Sequence, residues 1–119
     1  MPLLNFLIVA AGGAMGAAGR YLLSLWVAAA GFHPTLATMA ANVAGSVLIG
    51  FVSGCAEGRR ALFLTVGLCG GFTTFSTFSA QTLAWLQAGR FWAAALYALG
   101  SVLLCVVGVW AGLALAART

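Results

Sequence analysis

The chain contains no lysine and a single acidic residue, Glu57. Charged residues make up 5% of its 119 positions, against roughly a quarter in an ordinary soluble domain. A soluble fold of this length would lack the charge to cover its surface, so a water-soluble globular domain is excluded. No Asp or Glu falls inside an apolar segment, which removes a carboxylate proton relay and a cation-coupling site. There is no Ser/His/Asp set, no cluster of metal-ligating side chains and no phosphate-binding glycine loop ahead of a strand. Enzyme chemistry therefore has almost no groups to use. Cys55, Cys69 and Cys105 are widely spaced, form neither a disulfide framework nor a zinc site, and read as small core residues. Five arginines give a formal charge of +4, but they are scattered and form no basic stripe, so nucleic acid is not an expected partner.

What the chain has is apolar sequence, 64% of its residues. A membrane-spanning helix takes about 20 such residues. Four spans with short loops use nearly all of the chain, so residues 1–119 are expected to form a single transmembrane domain. The expected spans are 3–29, 35–55, 62–86 and 91–117, with turns at 31–34 and 87–90 and a loop at 56–60 that holds Glu57, Arg59 and Arg60. The start of the chain has no basic region ahead of Leu3 and its apolar run continues toward Arg20, so it reads as a first helix rather than a signal peptide. Helices are expected throughout, because an open strand in lipid leaves its backbone unpaired.

Trp26, Trp85 and Trp92 fall near expected helix ends, as interfacial anchors do. His33, beside Pro34, reads as a solvated turn residue. Arg20 is the one cation inside a span; it can snorkel, attract anions or anchor a loop, and anchoring is the preferred reading. Small residues recur four apart at Gly12/Gly16, Ser46/Gly50, Gly54/Gly58, Gly67/Gly71 and Gly108/Gly112, a spacing that lets helix backbones approach closely. Packing within the chain accounts for most of them. Four helices still make a thin bundle, so an oligomer is expected. Arg59, Arg60 and Arg118 are expected on one side of the membrane, diluted by Glu57, and Arg90 on the other, with Arg20 added there if it sits near its helix end. So weak a bias lets a chain insert both ways up, and two opposed copies would form an antiparallel dimer.

The most unusual stretch is Gly70-Gly71-Phe72-Thr73-Thr74-Phe75-Ser76-Thr77-Phe78-Ser79. The paired glycines weaken a helix just before a run of hydroxyls. A break there frees carbonyl oxygens that can coordinate a hard cation. Phe75 and Phe78 are three apart and share a face; either they pack in the core, or their electropositive ring edges line a pore that favours an anion. Thr38, Asn42 and Ser46 form a polar row on the second span. Asn42 is either a functional group near mid-span or half of an interhelical hydrogen bond. Tyr97, Ser101 and Cys105 share a face of the fourth span and offer rotatable donors to a desolvated anion; bonding to backbone is the alternative.

These pieces add up to a resemblance to the CrcB/Fluc fluoride-specific ion channels. The residues that carry it are Gly12-Gly13-Ala14-Met15-Gly16-Ala17-Ala18-Gly19-Arg20-Tyr21, Asn42-Val43-Ala44-Gly45-Ser46 with Gly50-Phe51, and Gly67-Leu68-Cys69 running into the hydroxyl-rich stretch. With the four-span length, the match covers the whole chain. The resemblance implies an all-α membrane protein with a broken third helix, assembled as an antiparallel dual-topology homodimer. It implies two fluoride pores along the subunit interface. It also implies a central sodium ion held by backbone carbonyls, here those of Gly70 and Thr73. Asn42, Phe75 and Phe78 would be pore residues, Ser76 and Thr77 nearby hydroxyls, and Tyr97 and Ser101 a polar track. The implied role is passive fluoride export that lowers cytoplasmic fluoride, from a multi-pass position in the inner or plasma membrane of a prokaryote.

Two positions depart from the family pattern. Gln81 stands where members usually carry a glutamate, which would alter rate or pH response. Cys105 stands where serine is frequent, and a thiol is the weaker donor. A small four-span multidrug/proton antiporter and a non-transporting assembly subunit are the rival expectations. The first needs a carboxylate in the opening helix that this chain does not have.

Overall fold

The computed structural model describes residues 2–119, and these are all helix and short turns. Helix α1 is Pro2–Ala29 and α2 is Pro34–Cys55. The third span, Gly58–Gln87, is built from pieces: α3 (Gly58–Leu62), a π-helical segment (Phe63–Cys69), α4 (Gly70–Phe72) and, after a break, α5 (Ser76–Gln87). Helix α6 (Phe91–Ala116) completes four segments long and apolar enough to cross a membrane. The bundle measures 50 × 30 × 25 Å.

The span limits agree with the expected ones except around the second loop. There only Ala56 and Glu57 are non-helical, and Arg59 and Arg60 belong to α3. A positive φ of 63° at Gly58 turns the chain sharply enough to start the third span at once. His33 is more than a solvated turn residue. It caps α2, its Nδ1 accepting the Thr35 N–H at 3.3 Å, and its ring stacks on Trp85 at 5.0 Å. Trp26 and Trp92 are exposed at one end of the bundle, as an interfacial belt requires, whereas Trp85 is half-buried between His33 and Tyr97.

No large side chain is fully buried among the described residues. Lipid solvates leucine as well as a protein interior does, so the helices are held by close backbone contact instead. A Cβ on Gly16 would collide with the Leu68 carbonyl and the Phe72 N–H, and one on Gly71 with the Gly13 carbonyl, which makes one seam between α1 and the third span. A Cβ on Gly50 would collide with the Val109 carbonyl, and one on Gly112 with the Val47 carbonyl, which makes a second seam between α2 and α6. Gly58 is the exception among the four-apart pairs, since its surroundings are open.

Gly112→Leu is therefore expected to cost about 3 kcal/mol, the upper end for overpacking, because backbone on the facing helix cannot rotate away as a side chain can. Gly100→Leu, which has nothing within 4 Å, should leave the melting temperature in detergent unchanged. Equal melting of the two variants would refute the seam.

Candidate functional site: a cavity at the helix break

The third span does not break at its paired glycines. Gly70 and Gly71 are helical, and the chain leaves the helix at Thr73, which is extended (φ −85°, ψ 159°). The physical reason is competition for hydrogen bonds. Asn42 on α2 takes both backbone groups of Thr74: its Oδ1 accepts the Thr74 N–H at 2.7 Å and its Nδ2 donates to the Thr74 carbonyl at 3.0 Å. An amide presents one donor and one acceptor in the arrangement a peptide group needs. The polar residue near mid-span is thus satisfied by the backbone of the break it holds open.

That substitution leaves carbonyls at the break without their helical partners, those of Gly70 and Thr73 among them. A continuing helix would bond the Thr74 N–H to Gly70 and the Thr77 N–H to Thr73. Here the first goes to Asn42 and the second to the Thr74 hydroxyl oxygen at 3.2 Å. Gly70 and Thr73 both line the cavity at the break. The π-helical turn just before it is wider in cross-section than an α-helix, with the Gly70 N–H reaching back five residues to the Thr65 carbonyl. Such turns recur at functional sites.

The cavity, about 440 Å³, lies between the third span, α2 and α6. It gathers Asn42, Gly70, Thr73, Phe75, Phe78 and Ser101 from the residues singled out in sequence. Ser76, Thr77, Tyr97 and Arg20 are not among its lining. Ser76 is exposed, its Oγ 3.4 Å from the Thr74 hydroxyl. Arg20 is half-buried on α1, its Nε donating to the Gly71 carbonyl at 3.4 Å, an anchor for the helix just ahead of the break.

Ser101 is 4% exposed, and its hydroxyl has no hydrogen-bond partner. A buried hydroxyl without a partner costs about 1–3 kcal/mol, which makes it a candidate ligand group. Phe75 and Phe78 stand 5.6 Å apart, tilted by 44°, and Phe75 is 76% exposed although it is a large apolar ring. Phe78 in turn meets Tyr97 at 5.1 Å, and Tyr97 meets Trp85 edge-on at 5.4 Å. The rings form a ladder from the cavity to the His33 end of the bundle.

Tyr97 differs from the expectation of a free donor. Its one O–H is given to Gln81 Oε1 at 2.6 Å. The donors left to a solute beside Tyr97 are the amide hydrogens of Gln81, a residue that sequence reasoning treated only as a departure. Thr65, Cys69 and Thr74 also line the cavity. The four-residue spacing of Thr65, Cys69 and Thr73 was the signal for a common face, though it is obscured by the π turn.

The fold and the cavity define a multi-pass membrane protein that carries uncharged donors, aromatic rings and freed carbonyls around a broken helix. The chain belongs to the CrcB family: residues 7–113 match the model described as CrcB-like protein, Camphor Resistance (CrcB). It is 47% identical to the fluoride-specific ion channel FluC of Elusimicrobium minutum, over 91% of this chain and 90% of that protein. It is 46% identical to FluC of Geobacter sulfurreducens, over 96% and 97%, and 43% identical to FluC 2 of Nitrobacter hamburgensis, over 94% and 96%.

Proposed function

We propose that this chain is a fluoride-selective channel that lets fluoride leave the cytoplasm of a prokaryote passively, across its inner or plasma membrane. The observation that carries the reading is the unpartnered, buried Ser101 hydroxyl, in the lining of a cavity that also holds two phenylalanine rings and no acidic side chain. Its relatives' names give the ion.

Fluoride is small and tightly hydrated, so a path through the membrane must replace its water without binding it too tightly to leave. Ser101 donates one O–H to the ion. The Nδ2 of Asn42 keeps a second N–H beyond the one given to Thr74, and Gln81 keeps its amide hydrogens. Phe75 and Phe78 offer the electropositive edges of their rings. Each contact is modest, and none carries a full charge. Ser76 and Thr77, between the two phenylalanines in sequence, add hydroxyls at the start of α5.

The exposed Phe75 ring and the thin bundle favour a second copy against this face, and the weak charge bias favours that copy in the opposite orientation. An antiparallel homodimer in the lipid bilayer would bring two sets of Gly70 and Thr73 carbonyls together. Freed backbone carbonyls suit sodium, a hard cation. A sodium ion there would supply positive potential to the anion path without a buried arginine.

The test uses purified protein in liposomes loaded with fluoride, followed with a fluoride electrode. Fast fluoride release with chloride retained is expected; release of neither, or of both equally, refutes the reading. Ser101→Ala gives a sharper outcome. It removes an unsatisfied group, so the melting temperature should hold or rise, while fluoride flux should fall by roughly tenfold or more, the worth of one hydrogen bond to a charged species. Loss of both together would mean that Ser101 serves packing alone.

A further inference from the structure

The three cysteines are all free, and they occupy three different environments: Cys55 is exposed at the end of α2, Cys69 is 3% exposed in the π-helical turn, and Cys105 is half-exposed on α6. Cys105 lies one helical turn from Ser101 on the same face, and both line the cavity at the break. The buried Ser101 hydroxyl has no hydrogen-bond partner within the chain, which leaves a donor at this wall of the cavity unspent. At about 440 Å³ the space is far larger than a methylmercury cation.

We infer that Cys105 is a modification site for soft, thiophilic cations, and that a metal on its sulfur closes the fluoride path. The inference rests on the channel reading for its second half only. With methylmercury chloride the thiol S–H and the Hg–Cl bonds break, an S–Hg bond forms, and a proton and chloride leave to water; nothing is oxidised or reduced. The product is a neutral, bulky group one turn from Ser101, where a desolvated anion needs its donors. Thiolate sulfur is among the strongest ligands for such cations, whereas the hydroxyls and ring edges around it have little affinity for them. Cys69 shares the cavity but is covered, and Cys55 stands outside it, so the chain carries its own controls.

The experiment treats proteoliposomes of the full chain with methylmercury chloride, maps the adducts by peptide mass, and measures fluoride release. Each variant is compared with its own untreated rate. The intact chain should carry an adduct on Cys105 and lose about tenfold or more of its flux, recovered by excess dithiothreitol. Cys55→Ser and Cys69→Ser should remain sensitive, and Cys105→Ser should keep its own untreated rate. An unlabelled Cys105, or a labelled Cys105 with unchanged flux, overturns the inference. Protein that passes no fluoride even untreated refutes the channel reading instead, and the adduct map then decides the site alone.

Discussion

Asn42→Leu is expected to abolish fluoride flux and to lower the melting temperature in detergent sharply. The Asn42 amide satisfies both backbone groups of Thr74, at 2.7 and 3.0 Å. Leucine has similar volume and no polar atoms, so it leaves an N–H and a carbonyl unpaired within the membrane. Each costs about 1–3 kcal/mol, and together they amount to a large share of a small protein's stability. The chain has one cheap response, to extend the helix through Thr73 and return the Thr74 N–H to Gly70. That response would remove the freed carbonyls and move Phe75 off the cavity.

Asn42→Asp separates the two roles. A carboxylate still accepts the Thr74 N–H but repels the Thr74 carbonyl, so part of the stability is lost. Its charge in the cavity stops an anion whether or not the break survives. Thermal unfolding followed by circular dichroism, beside flux from liposomes, checks both variants. An Asn42→Leu protein with unaltered melting and flux would show that the break holds itself open.

Phe75→Ile and Phe78→Ile should each reduce fluoride flux by about a hundredfold or more, because an aliphatic side chain has no electropositive edge to offer an ion stripped of water. Their stabilities should differ. Phe75 is 76% exposed in the single chain, and its removal costs little. Phe78 touches both Phe75 and Tyr97, at 5.6 and 5.1 Å between ring centres, so its loss should cost about 1–2 kcal/mol more. Gel filtration separates a failed assembly from a failed pore. Flux that survives in both variants, with normal elution, would remove ring edges from the mechanism.

Composition and motif made much of the site legible in advance. The hydroxyl-rich stretch, Asn42 and the Tyr97–Ser101–Cys105 face were visible because polar residues stand out against an apolar background. The place of the break was not. Glycine propensity pointed to Gly70 and Gly71, yet both are helical, and Gly71 is where it is because α1 passes within contact distance of its backbone. The break falls at Thr73 because a side chain thirty-two residues away competes for the Thr74 backbone. His33 is exposed in its turn, as expected, but its stacking on Trp85 was not legible for the same reason: the two residues are distant in sequence.

The amino-acid order alone settled four apolar spans, the want of acidic and enzymatic groups, and the family motifs, because lipid solvation and backbone satisfaction depend on composition over a window of residues. Tertiary structure settled which polar groups are already spent and which are left over. Tyr97 gives its proton to Gln81, Asn42 spends its oxygen and one of its two N–H groups on Thr74, and the Ser101 hydroxyl remains unpartnered in the cavity. A hydrogen-bonding group has a fixed number of donors and acceptors, and only the packing of one helix against another determines where they go.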